Sequence, residues 1–190
     1  MPRKKVSAFA AVGSNIEPET HIAEAFKRLQ KYARLSAISV FYKTLPLNSG
    51  DTILNSYEIK YGVPGIQAPF LNGVVKIETA LPPRALKYSV LRLIEAQLGR
   101  IRTQDLYAPR TLDLDLILYG ECVLAEADLR LPDPEIRERN FIAVPLLELA
   151  PDLLLPDTGE PLAGLPAARN LEGLEAQPEF TARLRALLKE

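Results

Sequence analysis

Apolar residues recur along the chain with two different periods, and each change of period marks an element. Residues 6–12, VSAFAAV, are almost wholly apolar and end at Gly13, so they read as a buried first strand. Glu17-Pro18 then opens a helix, and Ile22, Ala25, Phe26, Leu29 and Ala33 supply its apolar stripe. Residues 36–43, SAISVFYK, alternate and read as strand two; residues 71–79, LNGVVKIET, read as strand three. Pro82-Pro83 begin a second helix, with Leu86, Val90, Ile94 and Leu98 in register and Gly99 as its stop. A fourth strand follows at 112–118, then short helical pieces at Asp133-Pro134 and at Pro145. The order β-α-β, long loop, β-α-β predicts an α+β chain with a ferredoxin-like, split βαβ fold. Its sheet is mostly antiparallel, with helices packed on one face. Two loops interrupt the pattern. Residues 45–69 hold three prolines and three glycines, and residues 100–110, RIRTQDLYAPR, are dense in arginine. Loops of that length are uncommon unless they serve function. Residues 157–177 read as a linker and 178–189 as a terminal helix. The domain division is therefore 1–156 for the main unit and 157–190 for the tail.

The fourth strand carries the chemistry. In PRTLDLDLILYG, residues 109–120, leucine occupies every second position from Leu112 to Leu118, which predicts one buried face. The other face carries Asp113, Asp115, Ile117 and Tyr119. Aspartate is poorly suited to strands. Two carboxylates at i and i+2 project the same way, roughly 6–7 Å apart by strand rise. They repel unless a cation lies between them. Magnesium fits, because it binds through one or two carboxylates together with substrate phosphates. A solvated sheet face that merely tolerates Asp is the plain alternative. Arg100, Arg102 and Arg110 precede the strand and Arg139 follows it. Guanidinium forks match phosphate oxygens, so the combination suits a metal–triphosphate site.

Bulk properties narrow the setting. The chain has 190 residues and a net charge of −1, so any polyanion site must be local. Its single cysteine, Cys122, excludes an internal disulfide, suits a reducing cytoplasm and is expected to be buried packing. No apolar run reaches the length of a membrane span. Neither the P-loop pattern nor the dinucleotide-binding glycine pattern occurs. His21, early in a helix, is expected at the surface. Gly13-Ser14-Asn15 reads as a plain turn. The aspartates argue against nucleic acid on the sheet.

In this order the segments AAVGSN, FYKTLPL, FLNGVVKIET, IEAQLGRIR, PRTLDLDLILYG, LPDPEIRERNF and PLLELAP resemble the 6-hydroxymethyl-7,8-dihydropterin pyrophosphokinase family over roughly residues 8–156. The resemblance implies transfer of pyrophosphate from ATP to the pterin hydroxymethyl group, leaving AMP, in folate biosynthesis. Asp113 and Asp115 would hold two Mg²⁺ ions. Glu95, Arg100, Arg102, Arg110 and Arg139 would line the ATP site, with Arg100, Arg110 and Asp115 assisting the chemistry. Thr44, Leu47 and Asn72 would bond the pterin, Phe70 and Phe141 would sandwich it, and Tyr107 would help to cover it. Apolar faces with a few polar edge partners are what a flat heteroaromatic ring requires. Without the resemblance, both phenylalanines read as plain core. Loops 45–69 and 100–110 are expected to close over the substrates and exclude water. Contact with other folate-pathway enzymes also follows as an expectation.

The chain departs from the family pattern at three places. Where the family reads L-P-H-P, Leu131-Pro132-Asp133-Pro134 stands here, and Asp133 suits an N-cap for a helix at 134–139. Tyr107 stands near the family tryptophan, and segment 48–69 is longer than usual. These departures keep a second reading open: a catalytically weak relative that binds pterin or nucleotide. A third is another metal-dependent nucleotidyl-transfer enzyme on a similar fold.

Overall fold

The computed structural model describes residues 4–45, 68–101 and 108–189. Its main elements begin with β1 (Val6–Ser14), α1 (Pro18–Leu29), β2 (Arg34–Ile38), β3 (Tyr42–Thr44) and β4 (Phe70–Thr79). A continuous helix over residues 83–97, here α2, leads to β5 (Asp113–Tyr119). The sheet runs β5-β1-β4-β3, β2 also pairs with β4, and all of these pairings are antiparallel. β4 is thus inserted between the strands of the first βαβ unit, and β1 between those of the second. This is the split βαβ, ferredoxin-like arrangement that the order of elements predicts.

α1 and α2 cover one face of the sheet. Ala8, Ala10 and Val12 of β1 and Leu114 and Leu116 of β5 meet Ile22, Phe26 and Leu29 of α1 and Leu86, Val90 and Ile94 of α2 there. Burying each large side chain of this set contributes roughly 1.5–3 kcal/mol. In α2 the apolar residues recur every four positions, slightly more than one α-helical turn. A wide π turn over Leu86–Leu91, with Arg92 N–H donating to Lys87 C=O, keeps that row facing the sheet. Gly99, at φ +78°, ends the helical stretch in the left-handed conformation that glycine adopts cheaply.

Several expectations need correction. The second face of the sheet is also covered. Phe9, Val74, Ile117 and Leu118 pack there against Ile142, Ala143 and Leu146 of α4 (Asn140–Leu149), which follows the short α3 (Glu135–Glu138). The alternation along β5 breaks, because a bulge opposite Phe9/Ala10 turns Leu118 to the second face and Tyr119 to the first. Strand two is two strands, β2 and β3, split at residues 39–41. Pro145 lies inside α4 rather than at a helix start; burial of Ile142, Ala143 and Leu146 outweighs the hydrogen bond that proline cannot make. Residues 157–177 do not trail away as a linker. Leu162, Leu165, Ala167 and Ala168 are buried against the second face, the last two from α5 (Pro166–Arg169). β8 (Glu175–Ala176) adds to β3, and α6 (Pro178–Ala186) sends Phe180 and Leu184 into the first core. A small hairpin, β6 (Leu124–Ala125) and β7 (Arg130–Leu131), lies between β5 and α3. Cys122 is half-buried rather than buried. No helix among the described residues is long and apolar enough to cross a membrane.

Candidate active site

The site begins with one row across the sheet. Tyr42 of β3 pairs with Asn72 of β4, Asn72 with Gly13 of β1, and Gly13 with Asp113 of β5. Paired residues project to the same face, so Asn72 and Asp113 flank a glycine that offers no side chain between them. A Cβ built on Gly13 would lie 2.8 Å from Asn72 Oδ1, closer than real Cβ atoms come. Asn72 Nδ2 donates to Thr44 Oγ1 at 2.7 Å, and both residues are buried. Phe70 is half-buried two positions before Asn72, on the same face. Phe141, half-buried at the start of α4, packs on the second cluster on that side of the sheet.

The carboxylates follow along β5. Asp113 forms an ion pair with Arg110. Asp115 is two residues on, opposite Ala11, and burial with the charge of Asp113 pushes its carboxyl up to about 6. Glu95 projects from α2 and is buried. Its Oε1 accepts the N–H of Leu114, between the two aspartates, at 2.8 Å, while Arg92 Nη1 is 3.3 Å from Oε2. Burial raises Glu95 to about 8; the Leu114 N–H opposes this, Asp113 and Asp115 add to it, and Arg92 offsets part. Three carboxyl groups, two of them raised by burial, thus lie together around one stretch of β5. That donor set suits a divalent cation.

Arginine geometry is specific as well. Arg100 Nε is buried with no hydrogen-bond partner among the described residues, and its Nη1 reaches the carbonyl of Ile101 at 3.3 Å. Arg139 joins α3 to α4: its N–H donates to Glu135 C=O, and its own C=O accepts from Ile142 and Ala143. Its charge lowers the pKa of Glu135, which burial and Asp133 raise. Asp133 Oδ1 accepts the N–H of Glu135 at 2.9 Å, an Asx turn just ahead of Pro134, which holds the N-cap position of the short helix. Its charge also reaches Asp115. Leu47, Arg102 and Tyr107 lie outside the described residues, as do most of the two long loops.

Two contributors were not legible as such. Gly13 and Ser14 are the end of β1 rather than a plain turn, and Ser14 with Asn15 ties the approach to β5 in place. Asn15 N–H donates to Arg110 C=O at 3.0 Å, Asn15 Oδ1 accepts Arg110 N–H at 2.7 Å, and Ser14 Oγ donates to Thr111 C=O at 2.6 Å. Asn15 Nδ2 also reaches Ala68 C=O at 3.2 Å. Arg92 is the second. Its only signal was its place three residues before Glu95 on one helix face.

The sequence profile of the 7,8-dihydro-6-hydroxymethylpterin-pyrophosphokinase (HPPK) family matches residues 9–151. The chain belongs to this family. Among its HPPK relatives, the 2-amino-4-hydroxy-6-hydroxymethyldihydropteridine pyrophosphokinase of Pseudomonas aeruginosa is 40% identical over 175 residues, covering 90% of this chain and 96% of the relative. The enzyme of the same name from Haemophilus influenzae is 35% identical, covering 80% of this chain and 87% of the relative. Of solved structures, the wild-type Plasmodium falciparum HPPK-DHPS superposes with a TM-score of 0.60 at 14% identity. That match covers 84% of this chain but only 44% of the Plasmodium chain, and it supports the fold alone. Within the HPPK match lie Thr44, Asn72, Glu95, Asp113, Asp115 and Arg139, and the Gly13 row that brings the polar pair beside the carboxylates.

Proposed function

We propose that this chain transfers the β,γ-pyrophosphoryl group of ATP to the hydroxymethyl oxygen of 6-hydroxymethyl-7,8-dihydropterin, giving AMP and the pterin diphosphate. One observation carries the reading: the buried Thr44–Asn72 pair and the Asp113–Asp115 pair share one sheet face, separated by the bare Gly13. A polar ring edge and a phosphate chain would thereby lie side by side.

Thr44 and Asn72 offer edge partners to the ring, and Phe70 and Phe141 its apolar walls; Leu47 and Tyr107 belong to the same proposal. Asp113 and Asp115 would hold Mg²⁺, which would supply charge neutralisation at the phosphate oxygens. Arg100, whose buried Nε–H has no partner among the described residues, would offer it to an anionic oxygen. Arg110 spends its charge on Asp113 here; with nucleotide present it turns to phosphate, and Arg102 and Arg139 add to the same lining. The pterin oxygen attacks the β-phosphorus while the bond to the α,β-bridging oxygen breaks, and AMP leaves with that oxygen. Asp115 would assist deprotonation of the hydroxyl as a carboxylate beside it, and the arginines would stabilise charge growing on AMP. The single cysteine and the ATP substrate favour the cytoplasm. Other folate-pathway enzymes are the natural partners, in line with the HPPK-DHPS chain among the solved structures.

The test is a product assay with MgATP and the dihydropterin. AMP and pterin diphosphate should form one for one, and Asp113→Ala should lower turnover by at least about a hundredfold. ADP as product would refute pyrophosphoryl transfer. Pterin binding without turnover would favour the binding-module reading, for which the acid at Asp133 is the motive, and Asp133→His would then be the next variant.

A further inference from the structure

We propose that Glu148 is a positioning residue for the pterin pocket, locking β3, which carries Thr44, to α4, which carries Phe141. The proposal rests on the pterin reading above.

The β2–β3 link, residues 39–41, is where the sheet's regular pairing breaks, so each of its backbone N–H groups needs its own acceptor. Ser39 N–H donates to Val74 C=O of β4 at 3.0 Å. Val40 N–H donates to Glu148 Oε2 at 2.8 Å. Phe41 N–H donates to Thr181 Oγ1 of α6 at 2.9 Å. Three different elements therefore hold three successive residues. Glu148 does more than the others, because its second oxygen, Oε1, accepts the hydroxyl of Tyr42, the first residue of β3. One carboxylate thus grips both the link and the strand.

β3 is only three residues long and ends on Thr44, so it has little length with which to fix itself. Glu148 sits seven residues after Phe141 on the same helix, two turns along the same side. The gap between Thr44 and Phe141 is the space in which the ring would lie. Its width is then set by how α4 is tied to β3, and the Glu148 fork is a direct polar tie between them. Glu148 lies at the far end of α4 from Arg139. Ionised carboxylates accept such bonds strongly, which makes the tie specific in direction as well as distance.

The experiment compares wild type, Glu148→Ala, Glu148→Gln, Tyr42→Phe and Asn72→Ala by calorimetry. The probes are α,β-methylene-ATP with Mg²⁺, and then 6-hydroxymethylpterin on that complex. Thermal melts accompany each variant. Glutamine can accept from Val40 N–H and donate to the Tyr42 hydroxyl, so Glu148→Gln should bind pterin within about twofold of wild type. Glu148→Ala should weaken pterin about tenfold and Tyr42→Phe about fivefold, with nucleotide affinity unchanged within about twofold. If both variants bind pterin as wild type does while Asn72→Ala does not, the positioning role is wrong and the pterin reading stands. If pterin and nucleotide weaken together in step with the melting temperature, Glu148 is merely structural and the proposal fails. If Asn72→Ala binds pterin as wild type does, or wild type binds none, the pterin reading falls and this proposal with it.

Discussion

At the scale of single residues, the site depends on what is missing at Gly13 as much as on what is present at Asp113. A methyl group there would meet Asn72 Oδ1 at 2.8 Å, and Asn72 is already committed to Thr44. Gly13→Ala should therefore displace the amide and destabilise the fold by about 1–3 kcal/mol, the usual cost of overpacking. Urea unfolding would measure this. In an Asn72→Ala background most of the penalty should vanish, because the clash partner is gone; an unchanged penalty would mean the strain lies elsewhere. The sequence showed Gly13 only as a strand end. Its partner Asn72 is far along the chain, and only the β1–β4 register brings the two together. Asp113 and Asp115, by contrast, were legible at once. The two-residue period of a strand puts both on one side whatever the rest of the chain does.

At the scale of elements, β3 is the weak piece and its supports come from distant segments. β8 extends the sheet beyond it, with Tyr42 opposite Ala176 and Lys43 opposite Glu175. Gln177 N–H donates to Phe41 C=O at 2.8 Å. Phe180 of α6 packs edge-on to Phe41 with ring centroids 5.5 Å apart, and Phe41 in turn meets Phe26 of α1. Helix α6 is thus part of the core beneath β3. Phe180→Ala should cost about 3–5 kcal/mol, the range for emptying a buried aromatic site, read as a lower urea midpoint with an unchanged slope. A loss below about 1 kcal/mol would show that the helix docks loosely. The helical pattern at 178–189 was visible in the sequence. Its docking was not, because a composition rich in Pro, Gly and Ala before it looks the same in a tether as in a segment laid flat on a sheet.

For the whole molecule, the buried carboxyls make stability depend on pH in a definite direction. Glu95 rises from 4.5 to about 8 in the folded state, and Asp115 from 3.8 to about 6. Between those limits the folded protein binds more protons than the unfolded chain, so stability falls as pH rises. The contribution of Asp115 is complete below pH 3.8 and lost through about 6; that of Glu95 is complete below 4.5 and lost through about 8. Metal-free protein should therefore melt at progressively lower temperature from pH 6 to pH 8. Glu95→Gln, which keeps an acceptor for the Leu114 N–H, should flatten that slope. A melting temperature that climbs over this window in the parent protein would contradict the assignment.

By itself the sequence determined the order of the main strands and helices up to β5, hence the split βαβ topology, and the pair of aspartates on one strand face. These follow from local periodicity, turn residues and the handedness of short connections, all of which act over a few residues. Tertiary structure alone decided the rest. It placed the bulge that turns Leu118 to the second face, the second layer formed by α4 and the segment after it, and the row that joins Asn72, Gly13 and Asp113. It also decided that Glu148 reaches β3. Each of these depends on strand register or on docking between segments far apart in the chain, and the energy that selects them is burial and hydrogen-bond satisfaction summed over the whole fold.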